Sequence, residues 1–344
     1  MPRSVSFLFL LFAGALLVTC EKPRPPKQLS PAFYHWKAVY QPKPTEHEVL
    51  RRLGVQRLYI RFFDVDWNTS RQQPMPVSVI HFADRPTGLA VVPVVFITNR
   101  TILNLPASAV PQLAKNITKK ITQITQQNHI RINEVQLDCD WSPRSRDRYF
   151  TLLRAMKGQL QVPISASIRL HQIKYADQTG VPPVDRGMLM VYNMADWKDP
   201  KTRNSILDLD VASRYTGFLE KYPLPLDVVL PLFSWTLVYR NGRFLTIVNG
   251  IRQSQLVNRS FLQPQADTNR FVATRDTSAF GISVREGDLF RAEACRPEDL
   301  TQASRQLLDR LSNQTLTFAL YHLDSTVLAP YSHDYLQTLF RTAP

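Results

Sequence analysis

The chain has 344 residues, of which 44% are hydrophobic, and its 42 Lys and Arg against 28 Asp and Glu give a net charge of +14. This hydrophobic content supports a large core and excludes an intrinsically disordered chain. The 3 cysteines exclude a disulfide framework, and no CxxC motif or Cys/His cluster indicates a metal site. The basic excess predicts an acidic partner: nucleic acid, an anionic membrane surface or an acidic glycan.

The N-terminus has the pattern of an export signal. Arg3 precedes an apolar run at residues 7–18, which is too short to span a bilayer comfortably. The run ends at Leu17-Val18-Thr19-Cys20, which resembles a bacterial lipobox, in which the cysteine is lipidated and becomes the first mature residue. We therefore predict a lipoprotein signal peptide at residues 1–19 and a Pro-rich tether at residues 20–31. The alternative is an ordinary signal peptide that contains a cysteine.

A lipid on Cys20 predicts a protein of the bacterial cell envelope, anchored to a membrane. Glu21 follows this cysteine, where an Asp is the usual signal for retention in the inner membrane, so the outer membrane is favoured. A lipid-anchored envelope protein rarely meets nucleic acid, and the chain has no basic run with interleaved aromatic residues. The sequence therefore predicts a membrane-anchored monomer with no nucleic-acid partner.

After the tether, apolar strand-like runs alternate with amphipathic helical stretches. The eight predicted strands are residues 32–40, 57–63, 89–98, 134–140, 163–170, 187–193, 227–235 and 316–323. An irregular insertion follows strand seven at about residues 241–283, close to a predicted hairpin at Asn241-Gly242. Eight strand–helix units predict an α/β fold, a (β/α)8 TIM barrel, over residues 32–344.

A doubly wound open sheet is the alternative fold. Such a sheet normally carries a glycine-rich nucleotide-binding turn after its first strand, and this chain has none. We therefore favour the barrel and predict no cofactor.

The predicted barrel strands place polar side chains on the axis side, because neighbouring residues of a strand point to opposite faces. Strand five alternates apolar residues with Ser165, Ser167 and Arg169. The inward residues near the carboxyl ends of the strands are Asp138, Asp140, Arg169, Tyr192, Trp235 and His322. Barrel enzymes build their active sites at this end, so we predict a functional site here. The alternative is an inward Asp–Arg pair that simply fills the core.

Five tryptophans add to this pattern. Trp36, Trp67, Trp141, Trp197 and Trp235 all lie near predicted strand ends. Sugar rings present C–H faces that stack on indoles, so the pattern predicts a carbohydrate groove, with loop packing as the alternative. His35 and His322 have the chemistry for proton transfer near pH 7, although a lone inward histidine also serves as a core residue.

One stretch resembles a known family. Residues 135–142, Val-Gln-Leu-Asp-Cys-Asp-Trp-Ser, resemble strand four of chitinase-like family-18 glycoside hydrolases, whose motif is D-x-x-D-x-D-x-E. Residues 190–193, Met-Val-Tyr-Asn, resemble their Met-x-Tyr-Asp on strand six, and Trp235 resembles the tryptophan of a late strand. The resemblance implies that Asp138 and Asp140 are the inner aspartates. It also implies that Asp140 orients an acetamido group and that Tyr192 hydrogen-bonds near the same atoms.

The chain departs from this motif at two positions. Val135 replaces the first aspartate, and Ser142 replaces the glutamate that serves as the catalytic acid. Without a proton donor, a family-18 mechanism fails when the leaving group departs. Either another carboxylate supplies the proton, or the barrel binds a glycan without cleaving it. The candidate carboxylates are Asp64, Asp66, Asp196 and Asp324.

The sequence thus supports three hypotheses. The first is an envelope-anchored glycoside hydrolase-like lipoprotein acting on a polysaccharide or glycan, with Asp138, Asp140 and Tyr192 as catalytic residues. Its predicted substrate-binding residues are Arg169, Trp235, His35, Trp36, Asp64, Asn193 and His322. The second is a non-catalytic glycan-binding lipoprotein on a degenerate hydrolase barrel. The third is an envelope scaffold protein.

Replacement of Cys20 by Ser tests the lipid anchor. We expect Cys20→Ser to move the protein from the detergent phase to the aqueous phase in a Triton X-114 partition of cell extracts, because the acyl chains supply the membrane affinity. Glu21→Gln keeps the thiol and is the matched control. Equal partitioning of Cys20→Ser and the wild type would contradict lipidation at this residue.

Overall fold

The computed structural model describes residues 26–266 and 269–341. The predicted lipidation site Cys20, the signal peptide and residues 20–25 of the tether lie outside these residues. The first strand begins at Gln28, four residues before the predicted start of strand one at residue 32 and inside the range predicted as a tether.

Eighteen strands occur in the described residues. In chain order they are β1 (Gln28–His35), β2 (Val39–Tyr40), β3 (Arg57–Asn68), β4 (Gln73–Val77), β5 (His81–Phe82), β6 (Ala90–Ile97), β7 (Val135–Asp138), β8 (Ile164–Arg169), β9 (Arg186–Met190), β10 (Leu226–Pro231), β11 (Trp235–Arg240), β12 (Arg243–Asn249), β13 (Leu262–Pro264), β14 (Arg270–Ala273), β15 (Thr277–Ala279), β16 (Ile282–Val284), β17 (Leu289–Glu293) and β18 (Thr315–Tyr321).

Eleven α-helices accompany them. They are α1 (Pro44–Arg52), α2 (Asn99–Asn104), α3 (Val110–Gln127), α4 (Arg146–Lys157), α5 (Leu170–Lys174), α6 (Ala176–Thr179), α7 (Leu209–Thr216), α8 (Gln253–Val257), α9 (Pro297–Arg310), α10 (Ser325–Leu328) and α11 (His333–Arg341). Short 3-10 helices lie at Ala107–Ala109 and Leu219–Lys221. Within the described ranges, no helix is both long enough and apolar enough to span a bilayer.

Eight parallel strands close into a barrel. Around the barrel they follow the order β1, β3, β6, β7, β8, β9, β10 and β18, and β1 pairs with both β3 and β18. Each pairs in parallel with its neighbours, as a (β/α)8 barrel requires. The predicted fold class is therefore confirmed.

The outer faces of the barrel strands pack against amphipathic helices. Along α3, Val110, Leu113, Ile117, Ile121 and Ile124 recur at helical spacing and are all buried, as their sequence spacing predicts. Burying each of these aliphatic side chains contributes about 1.5–3 kcal/mol, which is what holds the helix on the barrel.

The barrel axis is polar. The Tyr34 hydroxyl donates to Gln136 Oε1 at 2.6 Å, and Gln136 Nε2 donates to Ser165 Oγ at 3.3 Å. Ser165 Oγ in turn donates to Glu134 Oε1 at 2.5 Å. Because these four buried side chains bond to one another, the cost of burying their polar groups is reduced. The same hydrogen bonds keep the alternate side chains of β7 and β8 directed toward the barrel axis.

The insertion after strand seven is a sheet, which differs from the irregular segment at 241–283 that the sequence predicts. Strands β11, β12, β13, β14 and β17 form it, in the antiparallel order β12-β11-β17-β14-β13. It therefore runs from Trp235 to Glu293. Barrel strand seven ends at Pro231, and Trp235 opens the inserted sheet. The apolar pattern continues across the intervening turn, so periodicity alone does not mark this boundary.

The predicted hairpin lies inside this sheet. Asn241 and Gly242 connect β11 to β12 with positive φ angles of 52° and 72°. This pair of angles suits an Asn-Gly turn between antiparallel strands, so the predicted hairpin is confirmed. The sheet has its own core, which includes Val238, Phe271 and Phe290.

Gly187 on β9 tests the close packing of side chains from neighbouring barrel strands, because Ile168 belongs to β8 and Leu226 to β10. A Cβ at this position would overlap Ile168 Cδ1 and lie 2.9 Å from Leu226 Cδ2. We expect Gly187→Ala to lower the free energy of unfolding by roughly 1–3 kcal/mol, as overpacked core substitutions do. Urea unfolding followed by circular dichroism measures the change.

Gly217 provides the control, since it ends α7 with an ordinary φ of −63° and a Cβ there meets nothing within 4 Å. We expect Gly217→Ala to change the free energy of unfolding by no more than about 0.5 kcal/mol. Equal effects of the two substitutions would contradict the packing argument at Gly187.

Candidate functional site

A cleft of about 490 Å³ opens at the carboxyl ends of the barrel strands. Its lining residues are Asp140, Arg169, Leu170, His171, Tyr192, Asn193, Met194, Trp197, Tyr215, Trp235 and Ile247. Five of the predicted site residues are in this set: Asp140, Arg169, Tyr192, Asn193 and Trp235. The cleft lies where barrel enzymes place their ligands.

Arg169 is the central charge of the cleft. Its Nε donates to Asp140 Oδ1 at 2.6 Å, and its guanidinium carbon lies 5.4 Å from the ring centroid of Tyr192. The Arg169 side chain is 18% exposed, whereas that of Asp140 is 51% exposed. Burial disfavours the charged form, but the Asp140 carboxylate raises the pKa of Arg169, which stays protonated. The cleft therefore presents a fixed cation beside an accessible carboxylate.

Asp138 lies beneath this pair. It is 5% exposed, does not line the cleft, and accepts a hydrogen bond from Ser167 Oγ. Burial raises the pKa of Asp138 to about 6, against the opposing charge of Arg169 and with a smaller contribution from Asp140. The carboxyl group of Asp138 therefore changes its protonation state close to neutral pH.

Tyr192 is held by aromatic neighbours. Its ring centroid lies 5.3 Å from that of Tyr321 and 6.0 Å from that of Phe233. Its hydroxyl lies 3.1 Å from Met190 Sδ, which is a weak acceptor. Burial raises the pKa of Tyr192, so the hydroxyl remains a donor at neutral pH.

Asp64 and Trp36 lie outside the cleft lining. The guanidinium of Arg61 donates to both carboxylate oxygens of Asp64, at 2.7 and 2.8 Å. Its carbon lies 5.7 Å from the ring centroid of Trp36. Trp36 also packs 5.8 Å from the Tyr321 ring. These residues form an ion-paired and aromatic cluster near β1 and β3.

His35 and His322 come together at the ends of β1 and β18. His35 is 2% exposed, and burial, with the charges of Lys37 and His322, lowers its pKa to about 4. Burial also lowers the pKa of His322. Neither histidine lines the cleft. The lowered pKa values favour the neutral form of both side chains at pH 7, so neither supplies a fixed cation.

The inserted sheet supplies part of the cleft wall. Trp235 Nε1 donates to Glu293 Oε2 at 2.7 Å, which fixes the indole. The Trp197 carbonyl accepts from Tyr239 Oη at 2.6 Å, and the Trp197 ring packs edge-on against Phe244 with centroids 4.5 Å apart. Both tryptophans are therefore positioned by residues of the insertion.

Arg291 and Glu293 anchor this wall. Both side chains are fully buried, and Arg291 Nε lies 2.7 Å from Glu293 Oε1 as an ion pair rather than an aligned hydrogen bond. Arg291 also donates to the carbonyls of Asp199 at 2.6 Å and Trp197 at 3.3 Å. Glu293 accepts from Ser205 Oγ at 2.5 Å. The pair thus connects the inserted sheet to the loop that carries Trp197.

Five residues of the cleft lining are not among those predicted from the sequence: Leu170, His171, Met194, Tyr215 and Ile247. Two of these five come from outside the ends of the barrel strands. Tyr215 lies on α7 and Ile247 on β12, both far in sequence from any strand end of the barrel. No local signal marks them, because only the packing of α7 and the insertion brings them to the cleft.

Ser142 occupies a loop after β7 and does not line the cleft. Its amide donates to Ser145 Oγ at 2.9 Å, and Ser145 Oγ donates to Asn99 Oδ1 at 2.6 Å. The neighbouring Trp141 is buried, with its Nε1 donating to the Thr179 carbonyl at 2.9 Å. Across the described residues, no group of three or more His, Cys, Asp or Glu side chains is arranged to hold a metal ion.

No protein-family model and no curated protein matches this chain. The fold is similar to that of the spore cortex-lytic enzyme SleL from Bacillus cereus, with a TM-score of 0.53 and 12% identity, covering 92% of this chain and 74% of that chain. It is also similar to a chitinase from Chromobacterium violaceum, with a TM-score of 0.50 and 12% identity, covering 88% and 97%. A mutant family-18 chitinase from Cycas revoluta, in complex with (GlcNAc)4, gives a TM-score of 0.50 and 11% identity, covering 90% and 99%. These likenesses show a shared barrel fold.

The raised pKa of Asp138 predicts a specific pH dependence of stability. The unfolded-state pKa of an aspartate is about 3.9, so the stability from protonated Asp138 is full below pH 4 and is lost as the pH rises through about 6. Asp138→Asn keeps an acceptor for Ser167 without a charge. Relative to the wild type, we expect this variant to gain roughly 1–3 kcal/mol in free energy of unfolding between pH 4 and pH 7.

Asp66→Asn is a control of opposite sign, since Arg100 lowers the pKa of Asp66 to about 2. That variant should lose stability at pH 7, with the deficit shrinking only as the pH falls below about 4. Urea unfolding at several pH values measures both. A difference between Asp138→Asn and the wild type that is constant from pH 4 to pH 7 would contradict the raised pKa.

Proposed function

We propose that this protein is a glycoside hydrolase-like, glycan-binding protein of the bacterial envelope, which holds an oligosaccharide in the cleft at the carboxyl end of its barrel. One observation carries the proposal. Two indoles, Trp197 and Trp235, line the same cleft as the Arg169–Asp140 ion pair.

This combination suits the chemistry of a sugar ring. A pyranose has C–H faces that pack on aromatic rings and equatorial hydroxyls that need directed donors and acceptors. The cleft offers the indoles for the faces, Asp140 as an accessible acceptor and Arg169 as a donor. Asn193 adds an amide at the same surface. The similarity in fold to a chitinase and to a cortex-lytic enzyme also supports a glycan ligand.

Binding without cleavage is the better-supported form of this proposal. Hydrolysis by the usual route needs two carboxyl groups flanking the bond. Among the described lining residues, Asp140 is the one carboxylate, and it is engaged by Arg169. Ser142, at the position of the family-18 catalytic acid, is held in loop hydrogen bonds away from the cleft.

Hydrolysis is the second candidate, and Asp138 is the observation that favours it. A carboxyl group with a pKa of about 6 is suited to donating and accepting a proton near neutral pH. In this form Asp138 and Asp140 would be the catalytic carboxylates, with Tyr192 as a hydrogen-bond donor to the substrate.

The envelope location rests on the sequence. The lipobox-like Leu17-Val18-Thr19-Cys20 supports a lipid anchor, and Glu21 supports the outer membrane over the inner. The basic residues Lys22 and Arg24 of the tether would then lie close to anionic lipid or lipopolysaccharide. In this setting the ligand is a glycan of the envelope or one taken up from outside the cell.

Substitution of the cleft tryptophans tests the binding proposal. We expect Trp197→Ala and Trp235→Ala each to weaken oligosaccharide binding about threefold to tenfold, because an aromatic contact contributes about 0.5–1.5 kcal/mol beyond its buried area. Isothermal titration calorimetry with (GlcNAc)4 and tetragalacturonate measures this.

Trp36→Ala is the matched control, since Trp36 is half-buried near the same end of the barrel but does not line the cleft. Its affinity should equal that of the wild type, once circular dichroism shows all three variants to be folded. An equal loss of affinity in all three variants would contradict oligosaccharide binding in this cleft. Release of reducing sugar by the wild type, abolished in Asp138→Asn, would instead establish the hydrolase.

A further inference from the structure

Two lysines lie next to the cleft, each with its ammonium group against the aromatic ring of a cleft residue. Lys174 ends α5, the helix whose Leu170 and His171 line the cleft, and its Nζ lies 5.4 Å from the ring centroid of the cleft residue Tyr215. Lys198 Nζ lies 5.2 Å from the ring centroid of Trp197, another cleft residue. Among the described carboxylates, none forms an ion pair with either lysine. Both ammonium groups are therefore available to a negatively charged ligand.

Three aromatic rings surround the ammonium group of Lys174: those of Tyr175, Tyr215 and Phe218. Its Nζ is 5.6 Å from the ring centroid of Tyr175 and 5.7 Å from that of Phe218. Tyr175 is 45% exposed and Phe218 42% exposed, so large ring surfaces meet solvent beside the ammonium group. An apolar face next to a fixed cation matches a sugar ring that carries a carboxylate.

The charges in and around the cleft also favour an acidic sugar. Asp140 is paired with Arg169 at 2.6 Å, so its charge is compensated inside the cleft. Lys174 and Lys198 add two ammonium groups, each against the ring of a cleft residue, Tyr215 and Trp197 respectively. A neutral oligosaccharide offers these cations only uncharged acceptors, whereas an acidic one offers carboxylates that also match their charge.

We propose that the cleft selects an acidic glycan, whose sugar carboxylates bind Lys174 and Lys198 while its rings stack on Tyr175, Phe218 and Trp197. This rests on the proposed function and narrows its substrate class to polysaccharides that carry carboxylate groups. With a neutral chain in the cleft, the same lysines would form no ion pair with the ligand.

Tetragalacturonate and its fully methyl-esterified form are the probes, since they share rings and linkages, and each charged carboxylate of the first is a neutral methyl ester in the second. We expect the wild type to bind the acid about tenfold more tightly than the ester at low salt, as charge-assisted contacts require. The double variant Lys174→Gln/Lys198→Gln should bind both forms with the affinity of the ester. Lys174→Arg/Lys198→Arg should keep the preference.

Lys115→Gln/Lys119→Gln is the matched control, because these exposed lysines on α3 give the same change in net charge away from the cleft. It should retain the preference for the acid. Loss of the preference in both double variants would show an effect of overall charge and overturn the inference.

The remaining outcomes separate this inference from the proposed function. Equal binding of acid and ester by the wild type overturns the acidic selection and leaves a glycan-binding cleft. Failure to bind either probe or (GlcNAc)4 overturns both. Lysine-dependent binding to phosphatidylglycerol vesicles, without glycan binding, would assign the two lysines to a membrane surface and overturn the inference.

Discussion

Arg291 and Glu293 bury two opposite charges inside the inserted sheet, and both side chains are fully shielded from solvent. Removing an ion from water costs several kcal/mol, so such a pair persists only where further hydrogen bonds satisfy it. Arg291 finds these bonds at the carbonyls of Asp199 and Trp197, and Glu293 finds them at Ser205 and the Trp235 indole. The cost of burial therefore keeps sheet, loop and both tryptophans in one arrangement.

The barrel and the insertion contribute different properties to the cleft. The barrel strands supply the charged floor, because β7 and β8 direct Asp138 and Arg169 toward the axis, with Asp140 just beyond the end of β7. The insertion supplies Trp235 and Ile247 and secures Trp197. The floor is a charged network that joins Asp138, Asp140 and Arg169, while the wall is apolar. A ligand with both C–H faces and polar groups fits this division.

The residues that the sequence predicts correctly are those governed by the two-residue period of a strand. Ser165, Ser167 and Arg169 alternate with apolar residues, and the structure places all three inside the barrel, bonded to Glu134, Asp138 and Asp140. For the tryptophans, a position at a strand end does not distinguish a packing residue from a cleft residue. Trp141 packs under α4 and Trp197 lines the cleft, yet both follow a strand, because the same indole serves packing and binding. Tyr215 and Ile247 reach the cleft through tertiary packing, which no local pattern encodes.

The first and last residues of the insertion are partners in one ladder, since Trp235 pairs with Glu293 between β11 and β17. Antiparallel partners have Cα atoms about 4.5–5.5 Å apart, so the segment leaves and rejoins the barrel at almost the same point. The inserted segment therefore adds a sheet to the rim without interrupting the closure of the eight barrel strands. Exchange of this one rim element would replace Trp235 and Ile247 and the support of Trp197, while the charged residues of the barrel strands stay in place.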